Sequence, residues 1–139
     1  MIAYADASVV LRVLLAERSA LPEWPLVDQV VASRLLRTEC LRSFHRIRLA
    51  NFLDDESLIK ALAGADELFS KIHFADLDTA VVERAGEAFA TSLGTLHAIH
   101  LSTALLWQSD HGRALDAFLT HDVELGRAAR GAGLRVLGC

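Results

Sequence analysis

Cysteine is nearly absent, with only Cys40 and Cys139 in 139 residues, which is too few for a disulfide framework and lacks the C-x-x-C spacing of a zinc or redox site. That usage fits a reducing compartment. Proline is equally scarce, at Pro22 and Pro25, and the eight glycines never fall at GxGxxG or GxxxxGK spacing. Collagen-like and low-complexity classes are excluded, and enzymes that cradle a nucleotide on a glycine-rich loop lose ground. No stretch reaches the roughly 18 uncharged apolar residues needed for a membrane-spanning helix. The opening Met1-Ile2-Ala3-Tyr4-Ala5-Asp6 has no basic segment, and the apolar run after it is cut at Arg12 before it forms a signal core. The expectation is a soluble cytoplasmic protein without membrane association. Internal repeats, linkers and biased tracts are also missing.

What is present is a globular composition, 53% hydrophobic and 23% charged. At 15.2 kDa the chain matches one domain of about 150 residues, spanning residues 1–139. A folded chain of this mass exposes roughly 7,000 Å² and has room for a core without disulfide support. The net charge of -4 argues against a coat of basic residues for nonspecific nucleic-acid binding. Charge is nevertheless segregated. Arg34, Arg37, Arg42, Arg46 and Arg48 face a single acid, Glu39, between Ser33 and Leu49. Between Asp54 and Glu83 eight acids face only Lys60 and Lys71. One face is thereby suited to a polyanion and another repels it.

Short apolar runs at Ile2–Ala5, Val30–Ala32, Lys71–Leu77, Ala117–Leu119 and Arg135–Leu137 read as strands. Between them lie helical patterns: one capped by Ser8; one from Leu35 to about Ala50 with Leu36, Cys40, Phe44 and Ile47 on one face; and one opened by Asp54 and Asp55. Others run from Asp78 or Thr79 to Leu93, from a Thr95 cap to Trp107, and from Val123 to Ala132. Buried strands alternating with helices predict an α/β fold of three layers, α/β/α, around a mainly parallel sheet.

In such a sheet the binding crevice lies beyond the carboxyl ends of the strands, where strand order reverses. Asp6 follows the first strand, Asp122 follows the fourth, and Glu39 lies one turn into the helix after the second. Three acids so placed repel one another unless a cation neutralises them, and Mg2+ or Mn2+ suits carboxylate and water oxygens. Each acid also has an ordinary structural reading: Asp6 and Asp122 as helix caps, Glu39 paired with Arg42 at i+3.

The segments Ala5-Asp6-Ala7-Ser8-Val9-Val10-Leu11, Thr38-Glu39, Gly94-Thr95-Leu96-His97-Ala98-Ile99-His100-Leu101-Ser102-Thr103-Ala104-Leu105 and Phe118-Leu119-Thr120-His121-Asp122 resemble, in order and spacing, the motifs of PIN-domain ribonucleases. The similarity is greatest to the VapC toxins of toxin–antitoxin pairs. The resemblance implies a PIN-like domain that hydrolyses RNA with Mg2+ or Mn2+, leaving a 5′-phosphate and a 3′-hydroxyl, and that a VapB-like antitoxin holds inactive. Homodimers are common in that family, and helix faces such as that around Leu11 and Leu15 are candidates for such an interface. By the same resemblance Asp6, Glu39 and Asp122 are metal-binding acids, and Ser8 and Thr120 are hydroxyls beside the site.

One position departs from the family pattern: His97 stands where a metal-site aspartate is expected. Imidazole still binds Mn2+ and other first-row ions, so His97 reads either as a retuned catalytic and metal ligand or as the loss of a carboxylate. The second option describes a catalytically weakened PIN domain that acts mainly by binding its antitoxin or RNA. His100, one turn on, matches a structural position of the family, and a His97–His100 metal pair is a further arrangement. His45, His73, His111 and His121 read as surface or loop residues, and Trp24 and Trp107 as packing. Arg42 and Arg46 lie within about 60° of Glu39 on a helical wheel, so they read as contacts to RNA phosphates or as an ordinary solvated face. An unrelated receiver-like α/β domain also places acids at strand ends, but it requires an acidic pair after the first strand and a late lysine, and no lysine follows Lys71.

Overall fold

The computed structural model describes residues 1–139 as alternating strands and helices. In chain order these are β1 (Ile2–Ala5), α1 (Ala7–Leu14), β2 (Gln29–Ser33), α2 (Leu35–Leu49), α3 (Asp55–Phe69), β3 (Ile72–Ala75), α4 (Thr79–Ala85), α5 (Thr95–His111), β4 (Ala117–Leu119), α6 (Val123–Gly131) and β5 (Val136–Leu137). The five strands form one all-parallel sheet in the order β3-β2-β1-β4-β5. Ala3 pairs with Val30 and Ala117, and Tyr4 with Val31 and Phe118.

The period-2 alternation of strand side chains splits the interior into two cores. Ala3, Ala5, Val30, Ala32, Ile72, Ala117 and Leu119 pack with residues of α1, α2 and α3. Ile2, Tyr4, Val31 and Phe118 pack with residues of α5 and α6 on the opposite face. This is the three-layer α/β/α arrangement that a sheet buried on both faces requires. The predicted helix face of α2 holds at Leu36, Cys40 and Phe44, which are buried, and not at Ile47, which is only half-buried. The exposed surface is 7,663 Å², close to the roughly 7,000 Å² expected for the mass. No helix is long and apolar enough to cross a membrane.

Four helix boundaries differ from the sequence pattern, the first being that α5 runs on to His111, one turn past the expected end at Trp107. The N-cap of α1 is Asp6, as its structural reading expected, and not Ser8: the Asp6 carboxylate accepts the amides of Ser8 and Val9 and also the Ser8 hydroxyl. Gly94, not Thr95, is the extended residue before α5. Finally, α4 ends at Ala85 instead of reaching Leu93. Phe89 and Leu93 continue the helical spacing, yet both pack on the second core from an irregular segment. The Arg84 guanidinium sits 4.5 Å from the centre of the Phe89 ring. Periodicity alone does not distinguish these two ways of burying the same side chains.

Candidate active site

From β1 the chain builds the sheet outward through β2 and β3, whereas β4 and β5 lie on the other side of β1. Strand order therefore reverses between β1 and β4, and the crevice at their carboxyl ends is where such folds bind ligands. Asp6 leaves β1 there, its amide still donating to the Leu119 carbonyl at 3.1 Å. Thr120, His121 and Asp122 leave β4 beside it. The first turns of α2 and α5 supply Glu39 and His97. The result is a cleft of about 370 Å³ whose lining includes Asp6, Ser8, Glu39, Arg42, Arg46, His97, His100 and Asp122.

Asp6 is only 4% exposed. Its Oδ1 accepts the Ser8 amide at 3.1 Å, the Ser8 hydroxyl at 2.6 Å and the Val9 amide at 3.4 Å, and its Oδ2 accepts the Thr120 hydroxyl at 3.0 Å. Burial pushes its pKa above the ordinary aspartate value, opposed first by the Ser8 hydroxyl and then by the charge of His100. The same hydroxyls cross-link the two strand ends. Ser8 Oγ accepts the His121 amide at 2.8 Å, and Thr120 Oγ1 accepts the Asp122 amide at 3.0 Å. Thr120 itself is fully buried beneath the cleft, acting on it through Asp6. Asp122 caps α6 through Oδ1, which accepts the Leu125 amide at 2.8 Å, while Oδ2 lies 3.7 Å from His97 Nε2. Capping and cleft-lining therefore coexist in both aspartates.

Glu39 makes no pair with Arg42. Its Oε2 lies 2.7 Å from Nε2 of His100, and His100 Nδ1 lies 2.8 Å from the Tyr4 hydroxyl, which also accepts the Ser33 amide at 3.2 Å. A carboxylate only accepts, so the Nε2 proton is donated to Glu39, and Nδ1 shares the second hydrogen bond with the Tyr4 hydroxyl. Burial raises the Tyr4 pKa well above its ordinary value, which keeps that hydroxyl protonated. With both ring nitrogens engaged, His100 is not a partner for His97 on a metal. Nor is Cys40 a nucleophile: burial, reinforced by the Glu39 and Asp6 charges, pushes its thiol up to about 12.

The arginines separate into two sets. Arg34 pairs with Asp76, Arg37 approaches Asp66 at 3.9 Å, and Arg48 approaches Asp55 at 3.3 Å. Thus part of the acidic segment folds back on the basic helix and no separate repelling face results from those acids. Arg42 and Arg46 line the cleft without an acidic partner, Arg46 donating to the Ser43 hydroxyl at 3.0 Å.

No group of three or more His, Cys, Asp or Glu side chains is arranged to hold a metal ion by itself. The donor chemistry nonetheless suits Mg2+ or Mn2+. Asp6 Oδ2 accepts one hydrogen bond of the two an oxygen can take, Glu39 Oε1 has no hydrogen-bond partner, and Asp122 Oδ2 has only the distant His97. A hard ion that keeps several waters, and needs one or two protein carboxylates plus substrate phosphate, fits such a set.

The Tyr4–His100–Glu39 chain was not legible as a connected unit. Its one signal is that Tyr4 is the sole tyrosine, set in an otherwise aliphatic strand, and a buried phenol must find a hydrogen-bond partner. Ser33 and Ser43, which support Tyr4 and Arg46, carried no signal. Compared with models of known protein families the sequence matches none, and a search of curated proteins returns no similar sequence.

Proposed function

We propose that the chain is a Mg2+- or Mn2+-dependent endoribonuclease of the PIN-domain type, the toxin of a VapBC-like toxin–antitoxin pair. The observation that carries this reading is the convergence of Asp6, Glu39, Asp122 and His97 with two unpaired arginines in one cleft at the strand-order reversal. Asp6, Glu39 and Asp122 are the residues that would hold the ion, with His97 beside them. When bound, the ion lowers the pKa of water and stabilises charge on phosphate oxygens. Arg42 and Arg46 bind the flanking phosphates and set the scissile bond over the acids. His100 holds Glu39 by one oxygen and leaves the other free. Ser8 and Thr120 orient Asp6.

The antitoxin part of the proposal draws on the motif resemblance and on the cleft itself, an acidic floor beside Leu11 and Leu96. A small partner protein would lay an apolar helix there and direct a basic side chain at the carboxylates. A second reading, a binding module with weakened catalysis, is favoured by one observation: the acids do not close on an ion unaided.

Incubation of the purified chain with a mixed RNA pool in Mn2+, Mg2+ or chelator separates the two. Cleavage that requires the ion and disappears in folded Asp6→Asn and Asp122→Asn proteins is the expected result. Cleavage in chelator overturns the proposal. RNA that is retained but left intact in either metal supports the binding module instead.

A further inference from the structure

Away from the cleft, two imidazoles meet at the opposite end of the sheet. His73 projects from β3, an edge strand, and His111 is the last residue of α5. Their ring centres are 6.0 Å apart with planes at 88°. Trp107 stacks on His111 at 4.4 Å and 20°. Both histidines are exposed. At 1.5 Å per residue, His111 stands about 21 Å along α5 from His97, so the pair is independent of the cleft.

His111 Nδ1 lies 2.8 Å from the Trp107 carbonyl oxygen. A carbonyl only accepts, so Nδ1 carries the proton and the lone pair of the neutral ring is on Nε2. A backbone carbonyl on one ring nitrogen is the usual way a metal-binding histidine is oriented, with the other nitrogen left to the ion. His73 makes no hydrogen bond through its ring, so both its nitrogens remain available. Two imidazoles bound to one ion through bonds of 2.0–2.1 Å have ring centres about 5–6 Å apart. The observed separation falls at the upper end of that interval, and the exposed His73 side chain makes no hydrogen bond that holds its ring in place.

We propose that His73 and His111 form a cation site for a borderline first-row ion, Zn2+, Ni2+ or Cu2+, with water completing the coordination. The ligand set is nitrogen only, so it discriminates against Mg2+ and Ca2+, which take oxygen. The ion would fasten the C-terminal end of α5 to edge strand β3.

Trp107 provides the readout, because an open-shell ion bound to the ring stacked on it quenches its emission, whereas an ion in the distant cleft does not. The probe is Ni2+, added to full-length Cys139→Ser protein, which lacks the exposed thiol. Saturable quenching is expected, together with a rise in unfolding temperature on adding Ni2+. His73→Asn and His111→Asn should each weaken binding about tenfold or more, and the double variant should lose both the quenching and the thermal shift. All three variants should keep the parental circular dichroism, since the replaced rings are exposed. The proposal is overturned by no quenching at about 1 mM Ni2+, which marks affinity too weak to be a site. It is equally overturned by a single variant that binds as tightly as the parent, or by quenching that survives in the double variant.

Discussion

Because Asp6 lies almost wholly out of water, its charge opposes folding even while Ser8, Val9 and Thr120 hydrogen-bond it. Its pKa is raised in the folded protein, so the native state holds the proton more tightly than the unfolded chain does. Stability therefore falls as pH rises from the ordinary aspartate value, about 3.9, through the raised native value, and stays lowered above it. Asp6→Asn keeps a good cap and removes the buried charge. It is expected to unfold at a higher temperature than the parent at pH 7, to lose that advantage below about pH 4, and to be inactive on RNA. Thermal unfolding across pH checks the sign. His97→Asp runs the other way. A carboxylate at a position whose imidazole approaches Asp122 adds like-charge repulsion to the metal-free protein and an oxygen ligand for a hard ion. Calorimetry should show tighter Mg2+ binding, with a smaller gain for Mn2+, and melting should be lower without metal and recover more on adding it. Equal Mg2+ affinities would place residue 97 outside the coordination sphere. His100→Ala orphans a buried phenol and frees Glu39, which should cost about 1–3 kcal/mol in denaturant unfolding and weaken Mn2+ binding about 10- to 100-fold.

At the scale of elements, α2 carries three separate jobs on three faces: Leu36, Cys40 and Phe44 in the core, Arg37 and Arg48, with Arg34 just before the helix, against acids, and Glu39, Arg42 and Arg46 toward the cleft. If Arg42 and Arg46 contact phosphates, the double alanine variant should flatten the slope of log affinity against log salt by up to about 1.4 for single-stranded RNA. Unfolding temperature should change little, because neither side chain is buried or paired with an acid. An unchanged slope would leave α2 with an ordinary solvated face. The strands and their terminal carboxylates were readable because short aliphatic runs ending in Asp have few alternative uses. The pairing of Glu39 with His100 spans 61 residues, and the return of Asp55, Asp66 and Asp76 onto the arginines depends on how α2, α3 and β3 pack. Neither follows from local spacing. The Asp6, Asp54, Asp78 and Asp122 caps were legible, whereas Ser8 and Thr95 were not the caps the pattern offered: Asp6 and Ser8, or Gly94 and Thr95, compete for one role, and only backbone angles decide which residue takes it.

Across the whole molecule, the three-layer order followed from strand–helix alternation, whereas the position of β1 between β2 and β4 did not. That central position determines everything at the cleft. Tyr4 stacks on Phe118 with ring centres 5.0 Å apart, and Thr120 reaches Asp6 across 114 residues of chain. A chain shortened to residues 1–112 keeps β1, β2 and β3 but exposes the Tyr4 and Val31 face that Phe118, Leu125 and Ala129 cover. It is expected to show no cooperative thermal transition and to bind Mn2+ no better than an unfolded peptide. A sharp transition by circular dichroism would mean that the first three strands are stable alone.

The pairing of the first strand with the fourth also fixes when in its synthesis the protein acquires a cleft. On the ribosome, Asp6 and Glu39 emerge early, but Thr120, the hydroxyl partner of Asp6, and the third acid Asp122 emerge only behind β4 and reach Asp6 when β4 docks on β1. Such long-range parallel pairing is among the slower steps in folding. Until then the acids lie on an open, partly ordered chain that holds no phosphate in register. On the proposed reading, a nascent copy has no ribonuclease activity until β4 docks, and that interval is the time a proposed antitoxin has in which to arrive.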